Sequence, residues 1–359
     1  MVAFIAMLDV VEEQAVDADT LHSDALVMDL TCPLARDPQY LAWWREGGAH
    51  AIAPTIRGYD GNARTGLAEI GHWHRYARDH DDVALILAPG DLARARRAGQ
   101  LGLIMHCQGT ALFEDDLDLV DGFAAAGLRI AQLTYNRRNL FGDGAAERTD
   151  SGLSQLGIRL VERLNAAHVV VDCAHTGERT SLDAIEFSNA PVIISHANAR
   201  GLHDNARNVS DELLKSIAGN GGVIGTVGFP AFLTWAPRPT LDHFIDDIAY
   251  KADLVGIEHT GIGIDYYLGQ HPVEDDAVAM VRYQALIDSG LWREAEYPPP
   301  PYYYPAGIET PSTLQALTRR LVERGFREAD IRAVLGGNWV RVLEHVWNGA
   351  TNRSSVTPV

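Results

Sequence analysis

Residues 168–175 read His-Val-Val-Val-Asp-Cys-Ala-His, and residues 191–196 read Pro-Val-Ile-Ile-Ser-His. Each stretch is a short, mostly β-branched run that ends in an imidazole, at His175 and at His196. Such runs are typical of buried strands, and the interval between them is long enough for one helix. Parallel strands joined by a helix end at the same side of a sheet, so we expect the two imidazoles to lie close together. Paired neutral imidazoles are a common way to hold a catalytic divalent metal such as zinc.

The alternation of short apolar runs with helical patterns extends over most of the chain. Helical stretches include residues 115–126, 153–166, 211–218 and 241–255. Eight runs are predicted as strands, at residues 25–29, 50–56, 101–106, 128–134, 169–173, 192–195, 222–227 and 261–265. Eight strands that alternate with helices, without an internal break, predict a single (β/α)8 TIM barrel. A doubly wound open sheet is the alternative, and the absence of a glycine-rich turn after the first strand disfavours it.

The domain boundaries follow from the same pattern. The barrel is expected over residues 25–348, after an N-terminal helical extension at 1–24 and before a polar C-terminal tail at 349–359. Long loops are expected at 136–150 and at 266–311, and the second contains four prolines followed by three tyrosines. Long loops that follow barrel strands lie at the catalytic face. The second loop is therefore interpreted as a lid or pocket wall, with a packed surface loop or subunit contact as the alternative.

Composition excludes several classes of partner. The 359 residues carry a formal net charge of −18, which argues against nucleic acid and anionic membrane surfaces as partners. No apolar run approaches the roughly 20 residues that span a membrane. The three cysteines are too few and too widely spaced for a disulfide framework and suit a reducing compartment. We therefore expect a cytoplasmic protein that acts on a small molecule.

Two further charged residues stand at positions where they can take part in chemistry. Asp265 ends the last predicted strand, which lies beside the first strand when the barrel closes. A carboxylate there can act as a general base toward an attacking water. Arg207 follows the sixth strand closely, and a guanidinium next to a metal can grip a substrate carboxylate in bidentate fashion. A helix cap for Asp265 and a surface position for Arg207 are the structural alternatives.

The chain resembles the membrane (renal-type) dipeptidase family. This is peptidase family M19, the zinc dipeptidases of the amidohydrolase superfamily. The resemblance runs from about residue 25 to 348. It is carried by motifs in a fixed order, namely Val171-Asp-Cys-Ala-His175, Ser195-His-Ala-Asn-Ala-Arg200, Arg207-Asn208, Gly261-Ile-Gly-Ile-Asp265 and Leu335-Gly-Gly-Asn-Trp339. The resemblance implies a two-zinc site at the mouth of the barrel and a homodimer. It also implies that His175 and His196 bind the second zinc, that Asp265 handles the proton of the attacking water, and that Arg207 holds the substrate carboxylate.

The chain departs from the family pattern within the site itself. The His-x-Asp motif that binds the first zinc falls on Thr31-Cys32-Pro33, and the bridging glutamate falls on Gln108. A substrate-contacting histidine falls on Tyr135, which precedes Asn136. An amide carries no charge to offset two dications, so the sequence predicts a divergent subgroup with at most one divalent metal, zinc by the family resemblance. Tyr135, Asn136 and Gln108 are expected to contact the substrate.

One residue of the first long loop offers a replacement carboxylate. Glu147 lies in the 136–150 segment, and it is interpreted either as a further metal ligand or as an ordinary solvated glutamate. Gln108 and water are the other groups that can complete the coordination of a single ion.

Three functions remain open from the sequence. The favoured one is a metallohydrolase that cleaves a dipeptide or a similar small amide with a free carboxylate. The second is a metal-free pseudoenzyme or binding protein that keeps the barrel and its pocket. The third is altered chemistry on a modified amino-acid-like metabolite with Tyr135 as acid or base, which requires a lowered tyrosine pKa.

Overall fold

The computed structural model describes residues 17–348, and the structural statements that follow concern this part of the chain. The first sixteen residues of the predicted N-terminal extension and the predicted tail at 349–359 lie outside the described residues. The described part of the extension contains a short helix at Ala18–Asp24, which is capped by the Asp17 side chain.

Eleven short strands are present among residues 17–348, and most of them form the centre of the molecule, while the last two form a separate two-stranded sheet. The strands are β1 (Met28–Cys32), β2 (Ala51–Arg57), β3 (Val83–Leu85), β4 (Leu101–Leu103), β5 (Met105–Gln108), β6 (Leu128–Gln132), β7 (Val170–Asp172), β8 (Ile224–Thr226), β9 (Thr260–Ile262), β10 (Gln270–His271) and β11 (Tyr302–Tyr303). All pairs between these strands are parallel. The strands β1, β2, β5, β6 and β7 are consecutive neighbours, and β8 pairs with β9.

Helices follow the strands and cover the sheet. They are α1 (Ala18–Asp24), α2 (Leu41–Glu46), α3 (Ala63–Asp79), α4 (Pro89–Arg97), α5 (Asp118–Ala126), α6 (Gln155–Ala166), α7 (Glu178–Phe187), α8 (Asp211–Gly219), α9 (Pro230–Leu233), α10 (Leu241–Val255), α11 (Asp276–Asp288), α12 (Gln315–Glu323), α13 (Glu328–Arg332) and α14 (Asn338–Trp347). A π-helical turn at Ala333–Gly337 joins α13 to α14.

The sheet closes on itself through short bridges. Ile193 bridges to Asp172 of β7 and Ile194 bridges to Ile224 of β8, so the 192–195 segment completes the ring as its sixth member. Between β9 and β1, the Asp265 amide donates to the Thr31 carbonyl at 3.2 Å. The (β/α)8 TIM barrel predicted from the sequence is confirmed.

The strands are largely buried, and polar strand residues such as Asp29 and His106 are buried together with the apolar ones. Met28 and Leu30 of β1 and Ala51 of β2 belong to one buried cluster, together with Trp339 and Val342 of α14. The Trp339 indole donates to the Ile262 carbonyl at 3.0 Å. Intervening strand residues pack in the larger cluster that includes most of the helices.

Several predicted elements differ from the observed ones. Strand β1 begins three residues later than expected, β3 was not predicted, and the run at 101–106 is divided into β4 and β5. Pro54 explains the division, because a proline has no N–H for the ladder. Residues on its N-terminal side pair with β4, and those on its C-terminal side pair with β5.

The segment at 266–311 needs a correction. It was expected to be a loop, but it contains the thirteen-residue helix α11, whose N-terminus is capped by the Asp275 side chain. Sequence periodicity did not reveal this helix, because its buried positions do not form an apolar stripe and only Ala279 and Tyr283 are buried. The 136–150 segment contains no helix and no extended strand.

The cysteines and the helix lengths bear on the predictions about disulfides and membrane spans. Cys32, Cys107 and Cys173 are buried and free. No helix within residues 17–348 is long and apolar enough to cross a membrane. The cytoplasmic location stays a prediction.

Candidate active site

A cavity of about 550 Å³ lies where the strands end, and four of the sequence-predicted site residues line it. Gln108, Tyr135, His175 and Asp265 line it directly. Three candidate site residues, Asn136, His175 and Asp265, have a positive φ of 57°, 59° and 64°. Non-glycine residues rarely adopt this conformation, and it is found preferentially where the fold holds a functional side chain in place.

His175 presents one specific nitrogen to the cavity. Its Nδ1 lies 2.8 Å from Asn136 Oδ1, and the Asn136 amide nitrogen in turn donates to the Leu291 carbonyl at 3.0 Å. Because a carbonyl oxygen only accepts hydrogen bonds, His175 Nδ1 carries the proton. The lone pair of this imidazole is therefore on Nε2, which is the arrangement required of a metal ligand or a base.

His196 is held in the same tautomer by a longer chain of hydrogen bonds. The Ser195 hydroxyl donates to Asp172 Oδ2 at 2.6 Å and lies 2.8 Å from His196 Nδ1. Since the only proton of that hydroxyl is directed to Asp172, the serine oxygen accepts from His196 Nδ1. The Nε2 atom of His196 is buried and has no hydrogen-bond partner. A buried polar atom without a partner is costly, so its retention points to a ligand.

The two imidazoles meet as the sequence predicts. Their ring centroids are 4.9 Å apart and the ring planes are inclined at 63° to each other. Burial lowers the pKa of both histidines well below 6.5, and the Arg207 guanidinium lowers it further. Both rings are therefore neutral at neutral pH, and each offers a lone pair.

The carboxylate of Asp172 anchors this arrangement from beneath. It accepts hydrogen bonds from the backbone amides of Ala174 and Ser195 at 2.9 Å each, and His106 Nε2 lies 3.1 Å from its Oδ2. Burial alone would raise the pKa of the Asp172 carboxyl group. The hydrogen bond and charge of His106, together with the other neighbours, outweigh burial, so the pKa is lowered overall. An ionised Asp172 fixes Ser195, and through it the orientation of His196.

Arg207 is buried beside the histidines. It therefore does not take the surface position that was the alternative from the sequence. Its Nε donates to the Tyr297 hydroxyl at 3.1 Å, and its guanidinium lies over the Phe232 ring at 5.2 Å. The Nη2 atom is buried without a partner. No carboxylate within residues 17–348 forms an ion pair with this guanidinium. Its charge and its unused donor suit an anionic group that enters from outside.

Asp265 presents a carboxyl group to the cavity from the end of β9. Burial raises its pKa to about 8, the nearby Asp29 raises it too, and Arg207 opposes the shift. At neutral pH this carboxyl group is mainly protonated in the metal-free protein. A carboxyl group that titrates near neutrality can exchange a proton with a reacting molecule in either direction.

Tyr135 forms part of an aromatic wall. Its ring stacks on His175 at 4.1 Å and on Tyr59 at 4.3 Å, and the Trp292 indole donates to its hydroxyl at 3.1 Å. Burial raises the pKa of Tyr135 well above 10. This direction is opposite to what a general base at neutral pH needs, and a role of Tyr135 as acid or base stays a prediction.

The position that binds the first zinc in the family pattern holds groups unsuited to a dication. The Thr31 hydroxyl lies 3.1 Å from His196 Nδ1. Burial raises the pKa of the Cys32 thiol well above 9, so no thiolate forms there, and Pro33 lines the cavity without a donor side chain. Gln108 lines the same cavity with an uncharged amide.

Glu147 lines a second cavity, which shares His175 with the first. The Glu147 carboxylate accepts a hydrogen bond from the Arg138 amide at 2.7 Å, and this smaller cavity of about 200 Å³ is also lined by Arg207. Across residues 17–348, no three His, Cys, Asp or Glu side chains converge to hold a metal. In this arrangement Glu147 does not complete a ligand set with His175 and His196.

The donor set fits one divalent ion and does not fit two. The fit to one ion rests on the two neutral imidazoles and on the unpartnered Nε2 of His196. The set does not fit two ions, because Thr31, Pro33 and Gln108 supply no negative charge to offset the repulsion between two dications.

Sequence reasoning missed several residues of the site. Thr55, Tyr59, Trp292 and Tyr297 all line the cavity. Trp292 and Tyr297 stack at 4.2 Å, and the Tyr297 hydroxyl links Arg207 to Asn136. The tyrosine- and proline-rich composition of 266–311 was a signal for a pocket wall, but it did not indicate which residues face inward.

The TIM barrel carries paired imidazoles, a carboxyl group and a guanidinium without an ion-pair partner where its strands end, and a hydrolytic site can be built from such groups. The family model described as membrane dipeptidase (peptidase family M19) matches residues 45–296 and 302–356. The chain therefore belongs to this family of dipeptidase-type hydrolases.

Known proteins similar to this chain agree with that assignment. An amidohydrolase from Pseudomonas aeruginosa has a solved structure with a TM-score of 0.83 and 31% identity, and the match covers 93% of this chain and 100% of that chain. A metallopeptidase from Rhodobacter sphaeroides, solved with a phosphinate mimic of the dipeptide L-Ala-D-Ala, has a TM-score of 0.74 and 21% identity, covering 90% of this chain and 100% of that chain. An uncharacterized dipeptidase of Schizosaccharomyces pombe is 27% identical over 87% of this chain and 67% of its own length. About a third of that relative lies outside the match.

Proposed function

We propose that this protein hydrolyses a dipeptide, or a similar small amide, that carries a free carboxylate. The observation that carries the proposal is the buried guanidinium of Arg207, whose Nη2 atom has no partner and lies next to the paired histidines. A buried unpaired cation is stable only when an anionic ligand completes it. The family and the dipeptidase names of its relatives support an amide substrate with that anionic end.

Each residue has a defined part in the proposed reaction. Arg207 binds the substrate carboxylate, and Tyr297 holds the guanidinium in position through its 3.1 Å hydrogen bond. The ionised form of Asp265, whose raised pKa makes it the stronger base, takes the proton from the attacking water and delivers it to the leaving amine. The wall formed by Tyr59, Tyr135 and Trp292 shields the reacting amide from bulk water.

We propose that His175 and His196 hold at most one divalent ion, and that the ion is zinc. When bound, such an ion would lower the pKa of a water molecule beside the scissile amide. Asn136 and Ser195 keep the two imidazoles in the tautomer that presents Nε2. The nearby Arg207 adds positive charge, so we expect weaker metal affinity than a carboxylate-bridged site gives.

The role of Arg207 is tested with matched substrates. Wild-type protein should cleave a free dipeptide at least about a hundredfold more efficiently than its C-terminal amide, since a hydrogen-bonded charge contributes a few kcal/mol. In Arg207→Met this preference should largely disappear through a rise in KM for the free dipeptide. The measurement is kcat/KM for both substrates.

Arg200 supplies the control for this experiment. Arg200→Met removes the same charge from the same loop, but its donors are already used by the Asn208 carbonyl and by Glu178. The acid-to-amide ratio should stay at its wild-type value in this variant. Equal cleavage of the acid and the amide by wild-type protein would contradict carboxylate recognition.

A further inference from the structure

Two polar side chains on the floor of the large cavity have no hydrogen-bond partner. The Thr55 Oγ1 and the Gln108 Nε2 are buried and unpartnered, and both residues line the cavity that also contains His175 and Asp265. Thr55 belongs to β2 and Gln108 to β5, which are neighbouring strands.

The strand register places the two groups on one face. Thr55 pairs with His106, and His106 precedes Gln108 by two residues. Because side chains alternate along a strand, Thr55 and Gln108 point to the same side of the sheet. Two unused donors on adjacent strands therefore face the same cavity where the strands end.

The chemistry of these donors selects an oxygen atom. The Gln108 Nε2 can only donate, and the Thr55 hydroxyl can donate as well. Neither group carries a negative charge that could attract a cation. A carbonyl oxygen, whose negative charge grows during hydrolysis, is the substrate group that two such donors stabilise best.

We propose that Thr55 and Gln108 form a hydrogen-bonding subsite for the carbonyl oxygen of the scissile amide. This inference rests on the proposed hydrolysis. Water adds to the carbonyl carbon, and the π electron pair moves onto the oxygen that faces Thr55 and Gln108. When the C=O bond re-forms, the C–N bond breaks, and the proton lost by water ends on the leaving amine.

The subsite has a consequence for stability as well as for rate. A buried hydroxyl without a partner destabilises the free protein, so its replacement by an isosteric methyl group should stabilise the fold. Thr55→Val should therefore raise the melting temperature while it lowers the rate. A residue with a merely structural role would not show this opposite pair of effects.

Thr260 provides a matched control, because its hydroxyl is also buried and unpartnered but it lines neither the large nor the small cavity of the site. Thr55→Val should lower kcat about a hundredfold with little change in KM, as expected for a donor that acts mainly in the transition state. Thr260→Val should raise the melting temperature and keep the wild-type kcat. Thr55→Ser, which restores the hydroxyl, should retain most of the wild-type kcat.

The binding experiment uses a phosphinate mimic of a dipeptide, measured by titration calorimetry. The mimic places an anionic oxygen where the carbonyl oxygen becomes charged, so Thr55→Val should bind it at least about tenfold more weakly than Thr260→Val does. Equal kcat and equal affinity in the two valine variants would overturn the subsite alone. A wild-type protein that neither hydrolyses dipeptides nor binds the mimic would overturn the proposed function and the subsite together.

Discussion

Asp265→Asn should lower kcat for dipeptide hydrolysis by about a hundred- to ten-thousandfold and, at the same time, stabilise the metal-free protein at neutral pH. The loss of rate follows from the removal of the only carboxyl group proposed to move the proton. The gain in stability follows from burial, which raises the pKa of this carboxyl group to about 8. Asparagine tolerates the positive φ of 64° at this position, so the backbone should not change.

The stabilisation should depend on pH in a defined direction. In the unfolded chain Asp265 ionises near its ordinary pKa of 3.8, whereas the folded protein keeps the proton up to about pH 8. Between these values the unfolded state binds fewer protons, so the free energy of unfolding of the wild type falls as the pH rises. The variant lacks this dependence. Its melting temperature should match the wild type near the lower pH and exceed it increasingly toward the higher one.

Asp253→Asn is the control for both effects. Asp253 is exposed on α10, and its replacement should change neither the rate nor the pH dependence of unfolding. A pH-independent difference in stability between Asp265→Asn and the wild type would contradict the raised pKa, and a variant with wild-type kcat would show that Asp265 is not the proton-transfer group.

His196→Ala should remove metal binding and activity together. Its Nε2 is a buried atom without a partner, and His196 is one of the two proposed imidazole ligands. We expect metal affinity to fall by more than the roughly hundredfold that loss of a ligand's supporting hydrogen bond causes. The rate should fall about a thousandfold, because a bound cation contributes several kcal/mol to transition-state stabilisation.

His22→Ala separates metal loss from general destabilisation. His22 is equally buried, but its ring nitrogens bond to Thr318 and to the Gly47 carbonyl, far from the cavity. This variant should melt at a lower temperature and keep metal affinity and rate. Retention of metal-dependent activity in His196→Ala would exclude His196 as a ligand.

The barrel could be predicted because its signals are local. Helix α10 covers the residues that its apolar periodicity indicates, Leu241–Val255. The alternation of apolar runs with helical patterns predicts eight barrel strands. The boundaries failed where a backbone feature intervened. Pro54 of β2 interrupts the pairing with the neighbouring strand, which is divided into β4 and β5. Helix α11 lacks the apolar stripe that would reveal it in the sequence.

The candidate site could be predicted only in part. His175, His196 and Asp265 follow strands, so strand ends brought them together. Trp292 and Tyr297 reach the same cavity from a segment more than a hundred residues away from His175 along the chain, and no local pattern indicates where such a segment folds back. The unpartnered state of Thr55 became visible only from its three-dimensional surroundings.

We propose that the paired histidines correspond to one of the two metal positions in the family's site and hold at most one ion. The most direct test is a calorimetric titration of chelator-treated full-length protein with Zn²⁺, followed by elemental analysis after removal of free metal. We predict close to one zinc per chain for the wild type and none for the His175→Ala, His196→Ala double variant. Two zinc ions per chain in the wild type, or one retained in the double variant, would contradict the account, and a wild type without any zinc would favour a metal-free binding protein.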